Sequence, residues 1–375
     1  MVEKTRKLHY HILGTEDFRR KGGNFRYPVE VILTIAFLAY LCGARSSRKY
    51  EMWGCENIEA LRQHGLDLPH GIPSHYTFAR FFEKMPPELL KNLARRWSEQ
   101  LVDLPKGSVV ALDGKAFKHA STDGIHIPYN VTAWVSEFGF ALAERVTDEK
   151  SNEITALPKI LDELGASIAG CVVTIDAAGC QKEIARKVVE VNHSDYVFGL
   201  KGNQKTMHDE FLELFDHAMT MYPDRFETDV QTEKNRGRFE ERVCTHTDFV
   251  EWFPERNEWI GLNSVIMVKE TRRTAKKETT DRRLYASSLP MDAKNAQRCV
   301  RQHWGVENGL HWTLDVIFDE DKCRLRTGYA AENMSNFRHI LVGILKQKSR
   351  ETGMTVDQLR FKAICSQEFL FDLFF

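Results

Sequence analysis

Two aspartates occupy positions where carboxylates can do chemistry. Asp113 follows the run Val109-Val110-Ala111-Leu112 and precedes Gly114, and Asp176 follows Gly170-Cys171-Val172-Val173-Thr174-Ile175 and precedes Ala177-Ala178-Gly179. Each run reads as a short buried strand, and α/β proteins gather catalytic groups at strand ends. Two carboxylates brought together there repel one another unless they share a proton or bind cations. A hard divalent ion such as Mg²⁺ takes oxygen ligands and suits such a pair. The same residues also suit capping of the turn or helix that follows, and spacing alone leaves both readings open.

A third acid is sought in the run His303-Trp304-Gly305-Val306-Glu307-Asn308-Gly309-Leu310-His311-Trp312. His303, Glu307, His311 and Asp315 recur every four residues, which predicts one polar stripe along a helix, flanked by Trp304 and Trp312. A polar stripe among apolar bulk is costly unless it is paired or holds metal. It therefore reads either as metal-binding or as an internal His–Glu hydrogen-bond network. The eight-residue separation of the two histidines does not fit the HExxH zinc pattern.

These groups need elements to hold them. Up to about Leu104 the pattern is helical. Pro28 opens an apolar helix that closes at Gly43, a second helix is expected over Tyr50–His64, and Ser74 caps a third. A fourth helix follows Pro86-Pro87. From Ser108 the pattern alternates: strands at 109–112, 130–135 and 138–146, a helix at 155–164, a strand ending at Ile175, a helix at 181–191, a strand at 196–200 and a helix from about Gln204. That order fits an RNase H-like core, though other doubly wound α/β folds share it. Residues 222–290 break the alternation and read as a β-rich insertion, with strands at 241–247, 264–271 and 283–287. Helices resume at 293–315 and 330–348. The expected division is therefore 1–105 (helical), 106–221 (first part of the core), 222–290 (insertion) and 291–375 (C-terminal helical part carrying Glu307). The apolar tail 367–375 should pack back onto the body.

Composition sets bounds. Hydrophobic content of 42% with 28% charged residues is ordinary for a globular protein. Net charge is -1, so any grip on nucleic acid must come from local basic surface. The eight cysteines contain no CxxC pair, which leaves zinc ribbons and thioredoxin-like motifs without support. The longest apolar run, Val31–Ala44, is too short to span a bilayer. With no secretory leader pattern, the expectation is a reduced, cytoplasmic setting with no membrane partner.

The chain resembles the H-repeat-associated family of bacterial insertion-sequence transposases. The motifs that carry the likeness are Leu112-Asp113-Gly114-Lys115, Glu149–Thr155 (EKSNEIT), Thr174-Ile175-Asp176-Ala177, Gly179–Ala185 (GCQKEIA), Lys201-Gly202-Asn203-Gln204 and HWGVENGLHWTLDV. It extends upstream to Gly71–His75 and downstream to Arg338-His339-Ile340, covering nearly the whole chain. The resemblance implies a DDE-type catalytic and metal-binding triad at Asp113, Asp176 and Glu307, with His303, His311 and Asp315 in support. It also implies two Mg²⁺ ions, or Mn²⁺ in their place, and phosphoryl transfer on DNA. Terminal inverted repeats and target DNA would be the partners, bound by a homodimer that associates with the nucleoid. The wider group of transposases carries Tyr, Arg and Lys seven before, four before and seven after the catalytic Glu. This chain has Val300, His303 and Leu314 there, so phosphate handling must use other residues.

Candidate DNA contacts are Lys115 beside Asp113, Lys201, Asn203 and Gln204 after the next strand, and Arg272, Arg273, Lys276 and Lys277. The last four lie in the run 269–283, which has seven basic residues against three acids. Such a run also occurs as a solvated turn, and Gly202-Asn203 also suits simple turn formation. Arg80, Lys84, Lys91, Arg95 and Arg96 add positive charge to the third and fourth helices. Alternatives to an active transposase are a catalytically silent or domesticated DNA-binding remnant and a stand-alone metal-dependent nuclease.

Overall fold

The computed structural model describes residues 7–20, 22, 25–100, 104–116, 129–147, 153–235 and 237–375. Residues 149–152 of the EKSNEIT motif lie outside them. The chain begins with six helices: α1 (Leu8–Leu13), α2 (Val29–Leu41), α3 (Ser47–Glu56), α4 (Ile58–Gln63), α5 (His75–Lys84) and α6 (Pro87–Glu99). The single helix expected over 50–64 is two, broken at Asn57, whose side-chain amide donates to the Trp53 carbonyl at 2.8 Å. An asparagine that bonds its own backbone competes with helix continuation. Helix α2 is buried on nearly every side, because only Glu30 among its thirteen residues escapes full burial. It is the centre of the helical half.

Strands β1 (Val109–Ala116), β2 (Tyr129–Val135) and β3 (Phe140–Thr147) form an antiparallel meander. Helix α7 (Glu153–Leu164), β4 (Val172–Ile175), α8 (Lys182–Arg186, continued by a wide π-helical turn over Lys187–Val191), β5 (Asp195–Leu200) and α9 (Lys205–Met221) follow. β1, β4 and β5 run parallel. Segment 222–290 supplies β6 (Glu227–Asn235), β7 (Arg238–Thr247), β8 (Ser264–Arg273) and β9 (Glu278–Ser287). β9 pairs antiparallel with β5, so the β-rich segment extends the central sheet. The result is one nine-stranded mixed sheet in the order β3-β2-β1-β4-β5-β9-β8-β7-β6. β6 carries no apolar alternation because it is an edge strand, and polar and charged side chains on such an edge deter pairing with other chains.

Helix α10 (Ala293–His303) continues through π-helical turns at Glu307–His311 and Thr313–Ile317, and α11 (Ala330–Thr352), α12 (Val356–Cys365) and α13 (Gln367–Phe374) complete the chain. As expected, the tail folds back, burying Leu370, Phe371, Leu373 and Phe374. α10 lies on one sheet face, its Ala296, Cys299 and Val300 packed with Val109, Val172 and Val197. The opposite face, with Val110, Leu112, Val173 and Ile175, belongs to a core shared with α2 and α11. The change of pattern near residue 105 therefore does not divide the hydrophobic core. Phe37 of α2 stacks on Phe337 of α11 with ring centroids 3.9 Å apart. All eight cysteines are free thiols, and Cys171, Cys180, Cys244 and Cys299 are buried as small apolar groups. Among the described residues no helix is long and apolar enough to cross a membrane.

Because one core spans both halves, Phe337→Ala should lower stability by about 3–5 kcal/mol and destabilise helices and sheet together. Denaturant titration followed by probes in α2 and in β4 checks this. Separate unfolding of the N-terminal helices would refute the shared core.

Candidate active site

Register places the two aspartates. Leu112 pairs with Ile175 across the parallel β1–β4 ladder. Side chains alternate along a strand, so Val109, Ala111 and Asp113 share one face, as do Val172, Thr174 and Asp176. It is the face that α10 covers. Asp113 and Asp176 thus occupy neighbouring positions beyond the last paired residues of the two strands. Asp113 does not end its strand, because β1 runs on to Ala116 through its pairing with β2. Its Oδ1 accepts from the Gly114 N–H at 2.9 Å. Asp176 is exposed, and its Oδ1 accepts from the Ala178 N–H at 2.9 Å, capping the one-turn 3-10 helix Ala177–Gly179. The capping role considered from sequence is therefore real for Asp176, and it uses one carboxylate oxygen.

The helix above supplies the remaining groups. His303 is buried and shares a 3.0 Å hydrogen bond between its Nδ1 and Thr174 Oγ1. Burial pushes its pKa down to about 4, against the opposing pull of Asp176. His311 brings Nδ1 to 3.7 Å from Asp113 Oδ2. Burial, reinforced by Lys115 and His339, lowers its pKa to about 4 as well. Both imidazoles are thus neutral near pH 7. Glu307 lies one turn from each histidine and is exposed. The π-helical turns, which hydrogen-bond across five residues, shift the phase of the four-residue stripe. His303, ahead of those turns, and His311 meet the strands, while Glu307 lines a cavity of ≈ 680 Å³ with Arg242, Arg272, Arg283, Arg301 and Trp304. Arg283 lies over the Trp304 ring, 4.4 Å from its centroid. Gly305 lets this helix approach the β2–β3 turn, since a Cβ there would stand 2.6 Å from Ser136 Oγ. Among the described residues no group of three or more His, Cys, Asp or Glu side chains is assembled closely enough to hold a metal ion. The hard oxygen donors of Asp113 and Asp176 suit a divalent cation, and Glu307 is the nearest acid in sequence on the covering helix.

Several predicted DNA contacts serve the protein instead. Lys115 points inward, its ammonium bound by Asp315 and, at 2.7 Å, by Glu320. Glu320 also pairs with Arg338 at 3.4 Å, and Arg338 Nε donates to the Tyr40 hydroxyl at 2.7 Å. Asp315 thus supports Lys115 rather than the stripe of acids. Asn203 donates to the Ala177 carbonyl at 2.5 Å and Gln204 to that of Cys180 at 3.0 Å, so both amides hold the loop that follows Asp176. Lys201 is exposed at the end of β5. Arg272 pairs with Glu270 at 2.7 Å and Arg273 with Glu278 at 2.8 Å, whereas Lys276 and Lys277 are exposed at the tip of the β8–β9 hairpin. In the helical half, Lys91 pairs with Glu332, and Arg96 donates to the carbonyls of His11 and Gly14. Thr174, Glu320 and Arg338 escape sequence reasoning because nothing in their spacing marks them as partners. Thr174 and Arg338 do lie within motifs that carry the resemblance, and Trp304 stands three residues before Glu307.

The fold is a mixed α/β sheet in which Asp113 and Asp176 follow the last paired residues of the β1–β4 ladder, beneath a helix that bears Glu307. The chain belongs to the DDE transposases: residues 104–342 match the family described as "Transposase DDE domain", and residues 10–98 match its "DDE_Tnp_1-associated" domain. The catalytic-domain match contains Asp113, Asp176 and Glu307. The "H repeat-associated putative transposase YhhI" of Escherichia coli (strain K12) is 33% identical over 91% of this chain and 90% of that protein. The "Uncharacterized protein in dhlA 3'region" of Xanthobacter autotrophicus is 34% identical over 74% of this chain and 92% of that protein. Membership implies a DNA substrate.

The Lys115–Glu320–Arg338 group generates a pH signature. Burial would raise the Glu320 pKa, but Arg338 and Lys115 overcome it and hold it at about 2, below the ordinary 4.5. Its stabilisation is therefore complete above pH 4.5 and lost as pH falls towards 2. Glu320→Gln should cost about 3–5 kcal/mol at pH 7, since it leaves buried cations uncompensated. The gap from wild type should shrink on acidification, measured by denaturation between pH 7 and 2; a pH-independent gap would contradict the assignment.

Proposed function

We propose that the chain is the transposase of an insertion sequence, cutting element ends and joining the freed 3′-hydroxyls to target DNA. The observation that carries this is the placement of Asp113 and Asp176 side by side beneath the helix that bears Glu307. In this reading β3-β2-β1-β4-β5 is an RNase H-like core, with β6–β9 as its insertion. Asp113, Asp176 and Glu307 are the residues that would hold a pair of Mg²⁺ or Mn²⁺ ions. When bound, such ions supply Lewis-acid activation of the attacking oxygen and charge stabilisation at the leaving oxygen.

The chain's own groups then do the positioning. His311, neutral and 3.7 Å from Asp113 Oδ2, adds no positive charge beside that carboxylate. His303 ties the covering helix to Thr174, two residues before Asp176. Asn203 and Gln204 hold the loop after Asp176. Water attack on a phosphodiester at the element's end releases a 3′-hydroxyl, and that hydroxyl then attacks a target phosphodiester in the same kind of in-line displacement. Lys201, Lys276 and Lys277 remain exposed for phosphate contact. The arginines beside Glu307, mostly paired with acids in this state, would exchange those partners for phosphates. Both element ends must be held together, so the working species is a homodimer on DNA, with the N-terminal helices gripping the ends.

Asp113→Asn, Asp176→Asn and Glu307→Gln should each abolish Mg²⁺-dependent nicking of terminal-repeat DNA while leaving far-UV circular dichroism and DNA retention intact. Full nicking by any one of the three would remove that residue from the site. Nicked products without joined products in wild type would favour the stand-alone nuclease.

A further inference from the structure

A second cavity, ≈ 690 Å³, lies at the junction of the N-terminal helices with α11 and the loop before it. Among the described residues, five basic side chains line it against two carboxylates, Glu83 and Asp319. Arg45 is the informative one. Its guanidinium lies over the Tyr40 ring, 4.0 Å from the centroid. Nη1 donates to the carbonyls of Tyr40 and Ala44 at 2.7 and 3.1 Å. Nε and Nη2 are buried with no hydrogen-bond partner. Burial lowers its pKa, Tyr40 and Tyr50 oppose that shift, and Arg360 and Arg338 add to it. A buried guanidinium with two unsatisfied nitrogens and other guanidiniums nearby is costly unless an anion completes it. Arg48 and Arg324 stand exposed on the same lining, and the Ser46 and Ser47 hydroxyls sit at the start of α3, where backbone N–H groups favour negative charge.

We infer that this cavity binds a phosphate group of DNA, at a site separate from the carboxylate centre. The inference rests on the DNA reading above and adds a second point of attachment, on the helical half. Planar, forked guanidiniums suit phosphate better than lysines do. The cavity is also wired to the sheet. The Tyr40 carbonyl accepts from Arg45 and the Tyr40 hydroxyl from Arg338, whose partner Glu320 holds Lys115, two residues beyond Asp113. A phosphate docked here would therefore rest on the polar group that braces β1.

The test measures binding of a random-sequence duplex against salt concentration for wild type, Arg48→Ala, Arg324→Ala and Arg45→Gln, with Lys159→Ala, an exposed lysine of α7 outside both sites, as a control. Each pocket variant should weaken binding several-fold and reduce the log–log salt slope by about one unit, whereas the control keeps the wild-type slope. Arg48 and Arg324 are exposed, so their loss should not unfold the chain and the test does not depend on Arg45. A parallel arm follows thermal protection by millimolar inorganic phosphate. Protection lost in the pocket variants together with the reduced slope supports a DNA phosphate. Phosphate protection with an unchanged DNA slope overturns it in favour of a free-anion site, and unchanged slopes with no protection overturn the cavity altogether. Failure of wild type to bind the duplex would instead sink the DNA reading itself.

Discussion

Leu112 faces Ile175 across the β1–β4 ladder, and the proposed chemistry rests on that register. One residue further on, both strands present a carboxylate to the same side. A slip of one residue in either strand would send one aspartate to the opposite face, into the shared apolar core. Register is held by that core: Val110, Leu112, Val173 and Ile175 are buried beneath the sheet, while Val109 and Val172 are buried beneath α10. Hydrophobic burial on both faces thus fixes the spacing of two like charges that would otherwise repel.

The covering helix works under the opposite constraint. It must be apolar where it crosses the sheet, through Ala296, Cys299 and Val300, and polar where it reaches the strand ends. Two π-helical turns make the transition. They turn His311 towards Asp113 and leave Glu307 at a cavity rimmed by arginines. π-Turns are uncommon and collect at functional sites, because the wider turn re-aims side chains that a regular helix would align. The neutral histidines on either side of Glu307 add no positive charge to the acids. The helix is anchored meanwhile by the His303–Thr174 hydrogen bond. The basic surface around Glu307 is largely paired with Glu233, Glu240, Glu270 and Asp281, which reconciles an arginine-rich cavity with a net charge of -1.

Much of this was legible in the sequence wherever a local pattern carried it. Strands β1, β4 and β5 announce themselves as β-branched runs, and Asp113 and Asp176 were readable because each closes such a run. The order of strands and helices followed from periodicity. β6 was not legible, because the sequence ETDVQTEKN has the composition of a loop and becomes a strand only by pairing with β7. The extension of β1 to Ala116 depends likewise on its partner β2. The roles of Lys115, Asn203 and Gln204 were hidden for the same reason. A basic or amide side chain near a presumed active site reads as a substrate contact, yet each of these meets a protein group far away in sequence.

The break near residue 105 illustrates the same limit at larger scale. Composition changes sharply there, from helical to alternating, and suggests an independent unit. Packing says otherwise, since α2 is buried on nearly every side and packs against α11, α12 and α13 as well as against α1 and α3. Phe37 on Phe337, and Tyr40 bonded to Arg338 and to the Phe318 carbonyl, join the halves by both apolar and polar contacts. A helical unit so joined cannot reorient freely about a linker. Whatever it grips is therefore held in a set relation to the strand ends that carry the aspartates. On the function proposed above, in which the helical half grips DNA and the carboxylates act on it, rigid union of the two halves would convert binding energy into positioning.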